Sequence, residues 1–299
     1  MAVGYIIKRL GVTDDTTNRG LNKVVFNVGL PVLLFRNVSQ SNIFEHFSNM
    51  GFVAFCVGVT TFMFAVTQVA GQLYFKNKKV AGTFSQVCFR SNFAILGLPL
   101  IGHLVGYDDT GLVLVSVAIV IPLYNVLTAI GLAGKEGEEL KGLRGLGIIV
   151  KNIANPLMVG IALGLIVSLF DWQLPHIVAA PVENLAIMTT PIALLGLGGS
   201  LDLSRVRARL KPALVVAFIK LVVGPVVFIP LAVWLGFGRE AMIVAFVLLA
   251  TPTAVSSYAI TMSMGGDEDM ALNSIVLTMM LSVFTLTFGL FLMMSLGLI

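Results

Sequence analysis

The chain has 299 residues, of which 57% are hydrophobic and only 11% charged, with a mean hydropathy of +0.97. That composition excludes a soluble globular domain, offers no nucleic-acid-binding patch, and implies a chain that crosses a membrane many times. The net charge of +4 would suit anionic partners, but in a membrane chain its distribution matters more than its sum.

A spanning helix needs about 20 mostly apolar residues. Reading between charged or Gly/Pro-rich breaks gives ten candidates, at residues 1–10, 18–38, 48–75, 80–104, 109–133, 146–170, 178–200, 211–236, 239–264 and 268–297, joined by short loops. The first is incomplete. In "MAVGYIIKRLGV" the charges Lys8 and Arg9 follow the apolar stretch, whereas a signal peptide places its charges first. It reads either as a truncated spanning helix or as a short interfacial segment. Cys56 and Cys88 both fall in apolar runs, where a thiol acts as a small core hydrophobe, and form neither a disulfide framework nor a metal motif.

If successive spans alternate in direction, Arg36 and Arg239 fall in loops on one side. Arg90 and Lys220 fall inside spans, and the rest of the nineteen Lys and Arg residues fall on the other side. The positive side is expected to be cytoplasmic, which puts both termini outside the plasma (inner) membrane.

A shift of about 160 residues brings "LPVLLF" with Pro31 onto "TPIALLG" with Pro191, and Gly4 onto Gly164. At a shift of 159, Gly106 falls on Gly265 and Asp108 on Asp267. Each match is weak alone, and their shared shift is the argument. The expected fold is therefore an all-α membrane protein of ten transmembrane helices in two five-helix repeats, residues 1–133 and 146–299, joined by a short cytoplasmic linker at 134–145. Five is odd, so the second repeat is inverted, as in many secondary transporters. The repeat also favours the truncated first helix, with residue 1 well inside the span.

The fourth span contains "FRSNFAILGLPL". Arg90 and Asn92 are costly in hydrocarbon, and Pro99 lacks the amide that a helix interior needs. Under the repeat, Asn92–Gly97 falls on "TPTAVSSYA" in the ninth span, and both lie near mid-depth counted at about 1.5 Å per residue. Irregular backbone at that depth is tolerated only where it is buried in protein or lines a cavity. One such break reads as a proline kink; two at repeat-related positions favour a binding site. Half-helices starting at mid-depth present free amides and positive dipole ends, which suit a carboxylate. Asn92, Thr251, Thr253, Ser256 and Ser257 add neutral donors and acceptors, beside Gly97, Pro99 and Pro252.

Asp and Glu are confined to loops and helix ends, so Arg90 and Lys220 lack a protein anion. A negatively charged substrate would complete them; the alternative is snorkelling or bonding to carbonyls freed by the breaks. Asn125, beside the helix breaker Pro122, has the best claim among the other polar residues. Asn27, Thr60, Thr61 and Gln68 read as interhelical contacts. No mid-span carboxylate is present to titrate, and His46, His103 and His176 fall at outer ends, so coupling to H+ or Na+ stays open. No catalytic residue, metal site or cofactor is expected.

At these residues the chain resembles the auxin efflux carrier family, which contains plant auxin exporters and bacterial carriers of malonate, malate and similar acids. The resemblance runs through "LNKVVFNVGLPVLLF", "FRSNFAILGLPL", "NPLMVGIALGL" and "ATPTAVSSYAI", in that order and spacing. It implies ten helices in inverted repeats, with broken helices 4 and 9 crossing at the substrate. Helices 1, 2, 6 and 7 would form a scaffold that pairs as a homodimer, and helices 3–5 and 8–10 a moving transport domain. This chain departs from the plant exporters in Arg90, in the short central loop "LAGKEGEELKGLRG", and in having only Gln68 and Gln72 where they carry charged residues on helix 3.

Four other readings share some of these features. A sodium-coupled symporter of the bile-acid type would have the same fold. A cation/proton antiporter would need mid-membrane carboxylates. An intramembrane aspartyl protease would need two aspartates sharing a proton, whereas Asp108 and Asp267 are expected on opposite faces. A passive channel would share the polar midplane but not saturate.

Overall fold

The computed structural model describes residues 2–40, 50–105, 111–132, 156–199 and 203–299. His46, Asp108 and the linker at 134–145 lie outside them. Among the described residues every element is helical except for a single isolated antiparallel bridge.

In chain order, α1 spans Ala2–Arg9. α2 spans Asp15–Val24 and continues through a π-helical turn, Val25–Gly29, into α3, Leu30–Ser39. The start of α2 is fixed by Asp14, whose carboxylate accepts the amide of Thr17 at 2.7 Å; hydrogen bonding from the Thr17 side chain and then its amide holds that carboxyl below its usual range. α4 covers Met50–Tyr74, α5 Lys78–Phe89, α6 Leu98–Val105 and α7 Gly111–Leu132. α8 covers Pro156–Leu169 and α9 His176–Gly199. α10, Leu203–Phe218, runs through the π-helical turn Ile219–Val223 into α11, Gly224–Trp234. α12 is Arg239–Ala250, α13 Ser256–Met264 and α14 Glu268–Ser295. Among the described residues, five helical runs are long and apolar enough to cross a membrane: α4, α7, α9, Leu210–Trp234 of α10 and α11, and α14.

Burial sorts these helices into a centre and a coat. Every residue of α5 from Val80 to Phe89, and of α12 from Ala241 to Ala250, is buried. By contrast α14 exposes Val283, Phe284, Phe288 and Phe291, α11 exposes Val226 and Val227, and α4 exposes Phe62, Val66 and Val69. An apolar coat of that extent is compatible with lipid and not with water.

Lipid gives apolar helices no hydrophobic reason to associate, so close backbone approach must do it. α3 and α8 meet this way: a Cβ on Gly160 would lie 2.2 Å from the Pro31 carbonyl oxygen, and one on Gly164 would lie 2.8 Å from that of Phe35. A Cβ on Gly4 of α1 would likewise lie 2.2 Å from the carbonyl oxygen of Leu195 in α9.

Two helical runs are interrupted. α5 ends at Phe89, Arg90 takes extended backbone angles (φ −73°, ψ 121°), and the chain resumes as a π-helical turn, Phe93–Gly97, that leads into α6. α12 ends at Ala250, Thr251 is extended (φ −67°, ψ 147°), and α13 resumes at Ser256. Thr251 precedes Pro252, and a residue before proline is pushed out of the helical region.

Candidate functional site

The two interruptions face each other. Ser91 and Thr253 form the antiparallel bridge; the amide of Asn92 donates to the Pro252 carbonyl at 2.8 Å, and that of Ala254 donates to the Arg90 carbonyl at 3.3 Å. Side chains close the remaining gaps. Ser91 and Thr251 share a hydroxyl–hydroxyl hydrogen bond, Thr253 Oγ1 donates to the Val87 carbonyl at 2.7 Å, and the Thr253 amide donates to Thr278 Oγ1 of α14 at 3.1 Å. The amides of Asn92, Thr253 and Ala254 are spent on the opposite break and on α14, so these three are not free for an anion. Each break supplies what the other lacks, because a buried unpaired amide costs more than a shared one gains.

The charge left in this centre is that of Arg90, which is 2% exposed. Its Nη1 donates to Asn125 Oδ1 and Thr128 Oγ1, both at 3.1 Å, and its Nη2 to Ser256 Oγ at 3.2 Å. Its Cζ stands over the Tyr124 ring, 5.6 Å from the centroid. Every one of these partners is neutral. Two donors in the same place have no acceptor: Arg90 Nε and Asn92 Nδ2 are both buried without a hydrogen bond.

A cavity of about 30 Å³, room for one or two waters, has both of their residues in its lining. Arg90, Ser91, Asn92, Tyr124, Asn125, Ala254 and Ser256 line it, with Ile121 one turn from Tyr124 and Asn125 on α7. Leu30, Leu33 and Leu34 of α3 and Leu157 of α8 complete the lining. The site is thus a guanidinium with neutral helpers facing an apolar wall.

Of the residues singled out from the sequence, Arg90, Asn92, Asn125 and Ser256 come together at this cavity. Thr251, Pro252 and Thr253 lie in the opposing break and hold it. Gly97 lies beyond the cavity lining, against Phe93 and Val247, where a Cβ would come within 3.0 and 3.1 Å of their side chains. Pro99 lies in α6, which continues the helical run from the π-helical turn Phe93–Gly97. Ser257 belongs to α13, its Oγ buried without a partner. Lys220 is not in the lining; it lies in the π-helical turn of α10–α11, beside Cys88. Asp267 accepts the Met270 amide at 2.8 Å and caps α14.

Ser91, Tyr124, Thr128 and the leucine wall join the site without having been singled out. Thr128 is three positions from Asn125 and four from Tyr124, so helical spacing could have placed Thr128 beside either of them.

Over residues 1–142 and 145–290 the chain matches the family described as membrane transport protein. The chain belongs to that family. It is the family to which the auxin-efflux-carrier resemblance pointed. The transporter is 26% identical over 308 residues to the "Putative malonate transporter" of Rhizobium meliloti (strain 1021), across 98% of this chain and 92% of that protein. It is 21% identical over 293 residues to an "Uncharacterized transporter" of Methanothermobacter thermautotrophicus (strain Delta H), across 95% and 92%.

Proposed function

We propose that the transporter is a secondary carrier of organic anions, small mono- or dicarboxylates or auxin-like acids, that binds the substrate carboxylate between the two breaks and works by alternating access. The observation that carries this reading is Arg90, buried among neutral partners, with its Nε and the nearby Asn92 Nδ2 left without acceptors. A buried cation without a counter-ion is expensive, and two unpaired donors beside it match the two oxygens of one carboxylate. The malonate in the relative's name carries one such carboxylate, and a second for which this cavity lining holds no cationic partner.

In this reading the chain spans the inner membrane ten times, as two inverted five-helix repeats with both termini outside. α5–α6 and α12–α13 are helices 4 and 9, crossing at the site. α1, α2–α3, α8 and α9 form a scaffold that pairs as a homodimer. The apolar wall of α3 and α8 belongs to that scaffold, while Arg90 and Ser256 belong to the moving half. Sliding one past the other would open the small cavity to each side in turn.

In proteoliposomes, Arg90→Ala and Asn92→Ala are each expected to depress uptake of a carboxylate panel while the purified proteins keep the wild-type gel-filtration profile. Transport of cations but not of carboxylates would refute the anion reading. Sodium-coupled symport is the second reading, favoured by the buried oxygens Gln86 Oε1 and Ser257 Oγ, which lack partners and are of the neutral kind that sodium accepts. An imposed sodium gradient separates the two.

A further inference from the structure

Lys220 lies near the middle of the run Leu210–Trp234, in the π-helical turn Ile219–Val223, and is 3% exposed. Among the described residues its ammonium makes no hydrogen bond or ion pair; the ion pairs are Lys8–Asp15 and Arg36–Glu183. The titratable side chain beside it is the thiol of Cys88, on α5, two residues before Arg90. The turn also packs against α12 and α14. Those helices bring Arg239 and Glu240, and Glu268 and Asp269, in their first turns; α5 brings Lys78 and Lys79 in its own, and α10 contributes Lys211.

An ammonium on a 3% exposed lysine in a membrane span, with no counter-charge, is costly. A guanidinium in that position keeps its charge, whereas an amine can give up its proton. Arg90 and Lys220 therefore serve different ends: one holds a fixed charge at the cavity, the other holds a charge that can come and go. π-helical turns inside α-helices occur frequently at functional sites, and this one places the amine against the helix that ends at Arg90.

We propose that Lys220 is the proton-binding site of the carrier, taking one proton from bulk water as a carboxylate settles against Arg90 and returning it when the acid leaves. The step is –NH2 + H+ → –NH3+, with no other bond made or broken. It rests on the organic-anion reading above. Bound carboxylate and bound proton each strengthen binding of the other by the same factor, roughly tenfold, in both directions. The fully loaded site then carries acid and proton together.

The test uses proteoliposomes loaded with a pH-sensitive dye and a radiolabelled monocarboxylate. In the wild type, an imposed proton gradient should drive accumulation of the acid above equilibration, with proton flux that follows acid flux; a sodium gradient should not. Lys220→Met, which keeps the length of the side chain and removes its charge, should retain acid-for-acid exchange, with affinity weakened roughly tenfold, and lose both gradient-driven accumulation and proton flux. Lys220→Arg, with a permanent charge, should exchange without moving protons. Proton-driven accumulation that survives in Lys220→Met overturns the proposal, as does a wild type whose exchange ignores the proton gradient. A wild type that exchanges no carboxylate at all overturns the anion reading and this inference with it, so the two failures are told apart by exchange alone.

Discussion

Ser91 in one interrupted helix and Thr253 in another pair as a two-residue antiparallel bridge deep inside an otherwise helical protein. Strand pairing at that point follows from hydrogen-bond accounting. Once a helix is broken, its free amides and carbonyls need partners, and no water is present at membrane depth to supply them. The other break is the nearest source.

Thr253 is the residue to test in that pairing, because its hydroxyl donates to the Val87 carbonyl while its amide reaches Thr278. Thr253→Val keeps the shape and removes the hydroxyl, leaving a buried carbonyl short of a donor. The expected cost is about 1–3 kcal/mol, read as a lower unfolding temperature in detergent. An unfolding temperature equal to wild type would mean that the hydroxyl does not hold the breaks together.

Asn125 and Thr128 orient the guanidinium from α7, so the site depends on a helix that is not itself broken. Asn125→Ala should weaken carboxylate binding by about 1–3 kcal/mol, as expected for a hydrogen bond to a charged group. Arg90→Lys should fare almost as badly as Arg90→Ala despite keeping the charge, because an ammonium cannot reproduce a planar fork that meets Asn125, Thr128 and Ser256 at once. Transport by Arg90→Lys at wild-type rate would reduce the role of Arg90 to charge alone. Substrate titrations on the purified variants decide the point.

Arg90 and Asn92 are legible in the sequence because polar groups in a hydrocarbon span are costly, and a costly residue advertises itself. Thr251 to Ser257 are legible because proline and hydroxyls interrupt a run of aliphatic residues. Leu33, Leu34 and Leu157 are not, since in a chain this apolar a leucine facing a cavity looks like one facing lipid. Counting along a helix gives depth but not direction. It groups Lys220 with Arg90 at the same level, whereas the structure sets Lys220 against Cys88. Free amides at the breaks are expected from each helix read alone; that the breaks satisfy one another depends on two segments about 160 residues apart, which local pattern does not reveal.

Gly160 tests the rigid side of the cavity. A Cβ there would sit 2.2 Å from the Pro31 carbonyl oxygen, and backbone cannot move aside as a side-chain tip can. Gly160→Ala should therefore cost about 1–3 kcal/mol and push α8 away from α3, shifting Leu157 in the cavity wall. Both stability and affinity for the acid should fall in this variant, whereas Gly58→Ala, on the exposed face of α4 where a Cβ meets nothing within 4 Å, should leave both close to wild type. Equal behaviour of the two variants would show that α3 and α8 are not packed backbone to backbone.

The cavity also ranks substrates. Its lining holds one guanidinium and, apart from neutral polar groups, the apolar residues Leu30, Leu33, Leu34, Ile121 and Leu157. One carboxylate can accept from Arg90 Nε and Asn92 Nδ2, but a second on the same molecule meets leucine and must be desolvated without a partner. Monocarboxylates with an apolar body should compete for transport at least tenfold better than dicarboxylates of similar size at neutral pH, a difference of about 1.4 kcal/mol, well within the cost of one unpaired buried polar group. Dicarboxylates should gain on them as the pH falls and one of their carboxyls takes up a proton. Introducing a cation into the wall, as in Leu34→Arg, should reverse the order. Competition assays over pH 5–8, on the wild type and Leu34→Arg, measure all three effects. Dicarboxylates that win at neutral pH in the wild type would place a second cationic partner at the site, in a conformation where the leucine wall has moved.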